Sequence, residues 1–253
     1  MSAARNKRRR RGRRGRFGFL YKMLAFVALA SALIVGATIF FRVETIRVEG
    51  NVRYEAQQVI DATQVLQGDN LFGLNKNEVA RRIRQTLPYV EGVAIRRSLP
   101  DTLVIRVEEC RAAAWFENRE GRWLISTAGK VLENVSPGSE QGIRLDGLEA
   151  VSPEAGLKLS VHEGHEFRMT GALELLKALE LKGMTEQVTY IDLTSPVRIV
   201  MDYSGRFAVR LPVNGDFNYL LELMAAAAAT LETYEKGTLD LTTDDFGVIF
   251  SPA

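Results

Sequence analysis

The 253 residues carry 33 Lys/Arg against 31 Asp/Glu, a net charge of +2, with one cysteine. A lone Cys110 excludes an intramolecular disulfide, so packing alone must hold whatever folds here, and the length suits one large domain or two of ordinary size. The near-neutral total averages two unlike parts: ten of the Lys/Arg and none of the acids precede Met23, which leaves about −8 on the remainder.

Those ten charges (Arg5, Lys7, Arg8 to Arg11, Arg13, Arg14, Arg16 and Lys22) abut the uncharged run Met23 to Phe41. At about 1.5 Å per helical residue the run reaches roughly 28 Å, the thickness of a bilayer's hydrocarbon core. Positive-inside bias then places the leader in the cytoplasm and residues from Arg42 onward across the membrane. Ala28-Leu29-Ala30 and Val35-Gly36-Ala37 also offer signal-peptidase spacing, but cutting at either leaves a very short apolar region or an exposed Thr38-Ile39-Phe40-Phe41 terminus. A basic tract beside a span is read as a topology determinant and a contact for anionic lipid, not as a nucleic-acid stripe.

After the span, Val43 to Val48 reads as a strand with Ile46 and Val48 on one face, ended by Gly50-Asn51. Ala56, Val59, Ile60 and Thr63 predict a helix over Tyr54 to Val65. Asn75 and Glu78 have the form of a cap and its reciprocal acid, opening a helix with the stripe Val79, Ala80, Ile83 and Leu87 that Pro88 stops. Val90 to Arg97 alternates, and Leu99-Pro100-Asp101 turns the chain into Leu103, Ile105 and Val107 on one face. Strand, helix, helix, strand, strand can bury both helices only on one face of a small sheet, whose edge is open to another chain.

Hairpins follow. Ala114-Trp115-Phe116 and Trp123-Leu124-Ile125 flank Glu120-Gly121, and Gly129 leads into Val131-Leu132. Pro137-Gly138-Ser139, Ile143 to Gly147 and Pro153 to Gly156 read as loops. Gly171 opens a helix with the stripe Ala172, Leu175, Leu176 and Leu179; Val188 to Leu193 is a strand, and Val197 to Met201 pairs with Phe207 to Leu211. Asp216 caps a helix expected to run from Phe217 to Tyr234 and to end at Lys236-Gly237, with Ala225 to Ala229 as its packing face. Leu239, Leu241 and Phe246 to Phe250 supply the closing strands.

Catalytic constellations do not emerge. His162 and His165 stand in a Glu/Gly-rich loop without a third His or a Cys cluster, so no metal and no cofactor is expected. No nucleophile elbow, phosphate loop or dinucleotide fingerprint occurs in a plausible context, and Asp101, Asp192, Asp240 and Asp244 are separated acids. A non-enzymatic role leads, with a membrane-anchored cell-wall or secretion enzyme, or a chaperone for exported chains, as the alternatives.

The ordered features resemble the FtsQ/DivIB family of bacterial cell-division proteins. Val43 to Asn51 is similar to the first strand of that family's POTRA domain, Gly68-Asp69-Asn70-Leu71-Phe72 to its interhelical segment, and Pro88-Tyr89-Val90 through Glu109 to its final hairpin. Trp123 to Leu132 resembles the opening of the β domain, and Gly237 to Leu241 its closing strand. The resemblance implies an α+β chain: a basic cytoplasmic tail (1–22), one transmembrane helix (23–41), a small POTRA domain of β-α-α-β-β order (43–110), and a mixed β domain rich in antiparallel strands (111–253). It further implies a scaffold without catalytic activity that sits at the division septum and binds the bitopic proteins FtsB (DivIC) and FtsL, linking division to septal peptidoglycan synthesis. The candidate partner site is the last strand, with Thr242, Phe246, Gly247, Val248, Ile249, Phe250 and Ser251. Arg47, Arg53, Arg96 and Arg97 form a candidate POTRA surface for other division proteins.

Overall fold

The computed structural model describes residues 15–243 and 247–253, so the leader up to residue 14 and the candidate Phe246 lie outside the described residues. Helix α1 (Gly15–Phe40) contains an 18-residue window, Phe19–Gly36, long and apolar enough to cross a bilayer. None of that window is buried by the rest of the chain, as a lipid-facing helix requires.

The next unit runs β1 (Thr45–Glu49), α2 (Ala56–Thr63), α3 (Lys76–Thr86), β2 (Val90–Ser98) and β3 (Thr102–Glu109), the order expected from the sequence. Its sheet order is β1-β3-β2, with β3 parallel to β1 and antiparallel to β2. Leu103, Ile105 and Val107 alternate onto the face that receives Val59, Val79 and Ile83 from the two helices. Each such fully buried aliphatic side chain contributes about 1.5–3 kcal/mol. Two local expectations are corrected. In α2 the buried residues are Val59, Ala62 and Thr63 rather than Ala56 and Ile60, because the helix leans its C-terminal half into the core. The reciprocal capping box forms at Glu55 and Gln58, not at Asn75 and Glu78. Asn75 does cap α3, accepting from the backbone N–H of Asn77 and Glu78, but the Glu78 carboxylate is taken by Arg81 and Arg82 on the following turn.

Beyond it, β4 (Ala114–Asn118), β5 (Gly121–Ile125), β6 (Val131–Val135) and β7 (Ile143–Asp146) precede the two-residue strands β8 (Ala150–Val151) and β9 (Ser160–Val161). Then come α4 (Glu166–Leu181), β10 (Tyr190–Asp192), β11 (Arg198–Tyr203), β12 (Phe207–Pro212), α5 (Phe217–Thr230), β13 (Gly237–Asp240) and β14 (Ile249–Pro252). Apart from the β8–β9 hairpin these strands make one nine-stranded sheet, ordered β14-β13-β12-β11-β10-β7-β4-β5-β6. It is mixed but mostly antiparallel, with parallel pairs at β12–β13, β10–β7 and β4–β7. Helices α4 and α5 bury Leu175, Leu179, Leu221 and Met224 in one core with the inward residues of the sheet. The mixed α+β class read from the sequence is the observed one.

Three readings in this part are corrected. The supposed loop at Ile143 is β7, the strand that joins the two halves of the sheet, with Ile143 and Leu145 buried. Four residues between turn glycines carry too short an alternation to be told from a loop. Gly171 does not open α4 but sits inside it, where a Cβ would lie 2.3 Å from the Val213 carbonyl oxygen, so glycine permits the helix to touch the next layer's backbone. Helix α5 stops at Thr230, and Gly237 begins β13 instead of closing the helix. Ala225 to Ala229 is therefore a partly exposed final turn rather than a buried packing face, although Ala228 reaches the core.

Candidate partner-binding surfaces

Strand β14 lies at one end of the large sheet and, among the described residues, pairs only with β13, from Gly237 opposite Pro252 to Asp240 opposite Ile249. The Ala253 N–H donates to the Lys236 carbonyl, so by the two-residue period of a strand the N–H groups of Ser251 and Ile249 also face β13. Those of Phe250 and Val248 then face outward, where Pro252, having no donor, is tolerated. Phe250 turns its ring into the core edge-on against Phe207, at 6.1 Å between centroids, while Ile249 and Ser251 are exposed on the opposite face. Thr242 is exposed and folds back on Asp240, donating from both backbone and hydroxyl to its carboxylate. Those bonds hold the Asp240 carboxyl below its usual range against the opposing effect of burial. Gly247 has φ +68°, a left-handed turn into β14 with open space around its Cα. The structure thus brings together the described members of this candidate set along one sheet edge.

The four arginines of the POTRA unit do not form one patch. Arg47 on β1 and Arg96 on β2 flank Val104 of β3, on the sheet face away from the helices. Arg97 points to the other side, donating to the carbonyls of Leu71 and Leu74 at 2.6 and 2.9 Å. Arg53 stacks over the Tyr89 ring at 3.7 Å and reaches Glu133 at 3.5 Å. Only Arg47 and Arg96 remain as a shared exposed surface. The alternation of β1 and β2 places Arg96 and Arg97 on opposite faces, which the sequence run had joined.

Sequence reasoning overlooked a third place, the seam between the small and large sheets. Tyr89, at the end of α3, is buried with Leu124 and Leu132 of β5 and β6, and its hydroxyl donates to the Glu133 carboxylate. Burial, followed by that carboxylate, raises the Tyr89 hydroxyl's pKa. Buried Lys130 donates to the carbonyls of Arg84 and Val90 at 2.8 and 2.7 Å, and burial pushes its ammonium down to about 8. Cys110, the half-buried residue where β3 gives way to the large sheet, lies on the Tyr89 carbonyl; burial, then Glu91, pushes its thiol up to about 11. Gly156 completes the seam, since a Cβ there would meet the Gln85 carbonyl at 2.4 Å. Lys130 had only its neighbour Gly129 to mark it, and a lysine beside a turn is ordinarily solvated.

Residues 41–109 match the family model described as POTRA domain, FtsQ-type. Cell division protein DivIB of Clostridium acetobutylicum is 24% identical over 206 residues, covering 80% of each chain. Cell division protein FtsQ of Syntrophotalea carbinolica is 28% identical over 62% of this chain and 54% of its own length. Cell division protein FtsQ of Corynebacterium glutamicum is 25% identical over 60% of this chain and 71% of its own. The match therefore spans little more than half of the Syntrophotalea relative.

Proposed function

We propose that this chain, a member of the FtsQ/DivIB family of bacterial cell-division proteins, is a single-pass membrane scaffold of the division machinery that binds through its last strand. In this reading α1 crosses the plasma membrane with the arginine-rich leader inside, both sheets stand outside, and the protein collects at the septum. The partners are the bitopic proteins of the FtsB/DivIC and FtsL type, which couple the assembly to septal peptidoglycan synthesis. The exposed pair Arg47 and Arg96 is a secondary contact for other division proteins. The chain acts by binding rather than by catalysis.

The observation that carries the reading is the terminal position of β14 in the sheet. Outward backbone groups on an edge strand pair with an added strand, while the flanking side chains select which one. The added strand would run beside Val248 to Ser251 and meet Ile249 or Ser251 on one face. Its length is bounded, because Pro252 offers no donor at the far end.

A titration of the full chain in lipid nanodiscs with the external segment of an FtsB/DivIC-like protein tests this, alongside a Val248→Pro variant. Val248 lies on the outward side of the strand, so proline there removes a donor facing the partner and leaves the β13 pairing intact. Saturable binding that is lost in a variant with unchanged melting supports the edge-strand scaffold. Equal binding by the variant moves the contact to the POTRA unit or the span, and no binding by the parent chain removes this partner class. Turnover of muropeptides by the purified chain would favour the anchored-enzyme alternative instead.

A further inference from the structure

We propose that the membrane-facing end of the POTRA unit is an apolar collar that sits in the outer interfacial layer of the same bilayer that α1 crosses, fixing the height and tilt of the external domains. The inference rests on α1 spanning the membrane and is independent of the partner strand.

The connection between helix and domain is almost absent. Helix α1 ends at Phe40, and already the Phe41 carbonyl accepts from the Leu71 N–H at 2.9 Å. Arg42 bridges Asn70, and fully buried Val43 donates to the Asp69 carbonyl at 2.8 Å. The N–H of Glu44 donates to the Asp101 carbonyl at 2.9 Å. Two loops are thereby pinned at the point of exit: the segment before α3, and the turn between β2 and β3. Because β3 is parallel to β1 and starts at Thr102, that turn must lie at the end of the sheet where the chain leaves the membrane.

The apolar surface of the unit is concentrated at this end. Its exposed large apolar side chains among the described residues are Val52, Leu66, Phe72 and Leu99. Leu66 (71% exposed), Phe72 (52%) and Leu99 (58%) are all on the two pinned loops; Val52 (91%) follows β1 at the opposite end. Phe40, itself 66% exposed, is edge-on to Phe41 at 5.1 Å, and Phe41 is edge-on to Phe72 at 5.1 Å. An unbroken aromatic seam thus runs from the helix end onto the domain. Aromatic side chains of this kind favour the boundary between hydrocarbon and headgroups.

Height agrees with this occupant. Phe40 and Phe41 close the uncharged run from Met23, whose roughly 28 Å of helix matches the hydrocarbon thickness, so the seam that continues onto Phe72 starts at the outer edge of the hydrocarbon. The headgroup layer extends roughly 5–8 Å beyond the hydrocarbon, so the seam falls within it. Polar chemistry at the same end is compatible. The Asp69 carboxylate accepts from the Leu66 N–H and Asp101 from the Thr102 hydroxyl, so both acids are engaged locally; Glu44 is the exposed acid that must remain at the aqueous side. Arg42 is exposed beside the seam, and Arg97 stands 5.5 Å from the Phe72 ring centre with its guanidinium on loop carbonyls. A contact too weak to recruit a free domain suffices here, since the tether holds the collar at high effective concentration next to the bilayer.

The test uses the full chain with Cys110→Ala, reconstituted in phosphatidylcholine/phosphatidylglycerol vesicles, carrying one nitroxide at Leu66→Cys, Leu99→Cys or Val52→Cys. All three positions are exposed, and unchanged melting verifies each fold. Power saturation compares collisions with oxygen, which partitions into lipid, and with a water-soluble nickel chelate. The expected result is a severalfold higher oxygen-to-nickel accessibility ratio at 66 and 99 than at 52. Vesicle-floated chain with equal, water-like ratios at all three positions overturns the collar and leaves the patch for a protein partner. Chain that fails to float with the vesicles overturns the span and the collar together.

Discussion

Lys130 shows how one side chain can join two units of a chain. Its ammonium crosses the seam to two carbonyls, at Arg84 and Val90, that would otherwise lack those donors. Replacing it with Met keeps the stem's packing but removes both bonds, and the expected cost is about 1–3 kcal/mol by urea denaturation. The pH dependence carries a definite sign. The unfolded lysine holds its proton to pH 10.5 while the folded one releases it at about 8, so the unfolded chain binds more protons in that window and stability rises with pH. Cys110 acts oppositely. Its folded thiol titrates at about 11 against 9 unfolded, so stability falls between those values. Measured in a Cys110→Ala background and below about pH 9, before the raised Tyr54 and Tyr89 hydroxyls begin to oppose it, the rise from pH 8 should vanish with Lys130→Met. The same raised thiol predicts slow alkylation of native Cys110 near pH 8, with a rate that still climbs beyond pH 9.

At the scale of elements, caps and alternation act as the sequence suggested, whereas contact between layers does not. Asn75 caps α3 through two backbone N–H groups, and Asn75→Ala should cost about 1 kcal/mol. Gly171 belongs to a different class, because its role depends on the Val213 carbonyl some forty residues away in sequence. Gly171→Ala should destabilise by about 1–3 kcal/mol despite alanine's better helix propensity, as read by the thermal midpoint. A gain in stability on that substitution would show that the layers can separate at little cost. Strand β7 makes the same point from the opposite direction. Four residues with Ile143 and Leu145 buried resemble a loop in sequence, yet they pair with β4 on one side and β10 on the other. The sequence pattern put the closing strand at Phe246 to Phe250, whereas β14 runs Ile249–Pro252, and its outward donors became identifiable only from the Ala253 bond to Lys236.

For the whole molecule, the seam joins the two sheet units through buried side chains. Tyr89 is buried among Leu124 and Leu132 and is clasped by Arg53 and Glu133, so Tyr89→Ala should loosen the orientation of the small sheet against the large one. Pulsed dipolar distances between nitroxides at Gln57 on α2 and Glu174 on α4 should form one narrow distribution in the parent chain and a broad one in the variant. The sequence alone determined the long apolar N-terminal helix, the order β-α-α-β-β, the inward faces of β3 and α3, and the hairpin grammar of the second unit. Each follows from local periodicity, charge asymmetry or capping chemistry within a few residues. Tertiary structure alone decided the central place of β7, the close approach at Gly171, the splitting of the four arginines, the seam at Lys130 and the gathering of Leu66, Phe72 and Leu99 on the loops beside the end of α1. Those depend on which distant backbone groups and side chains are brought within a few ångströms of one another, and no periodicity along the chain encodes that distance.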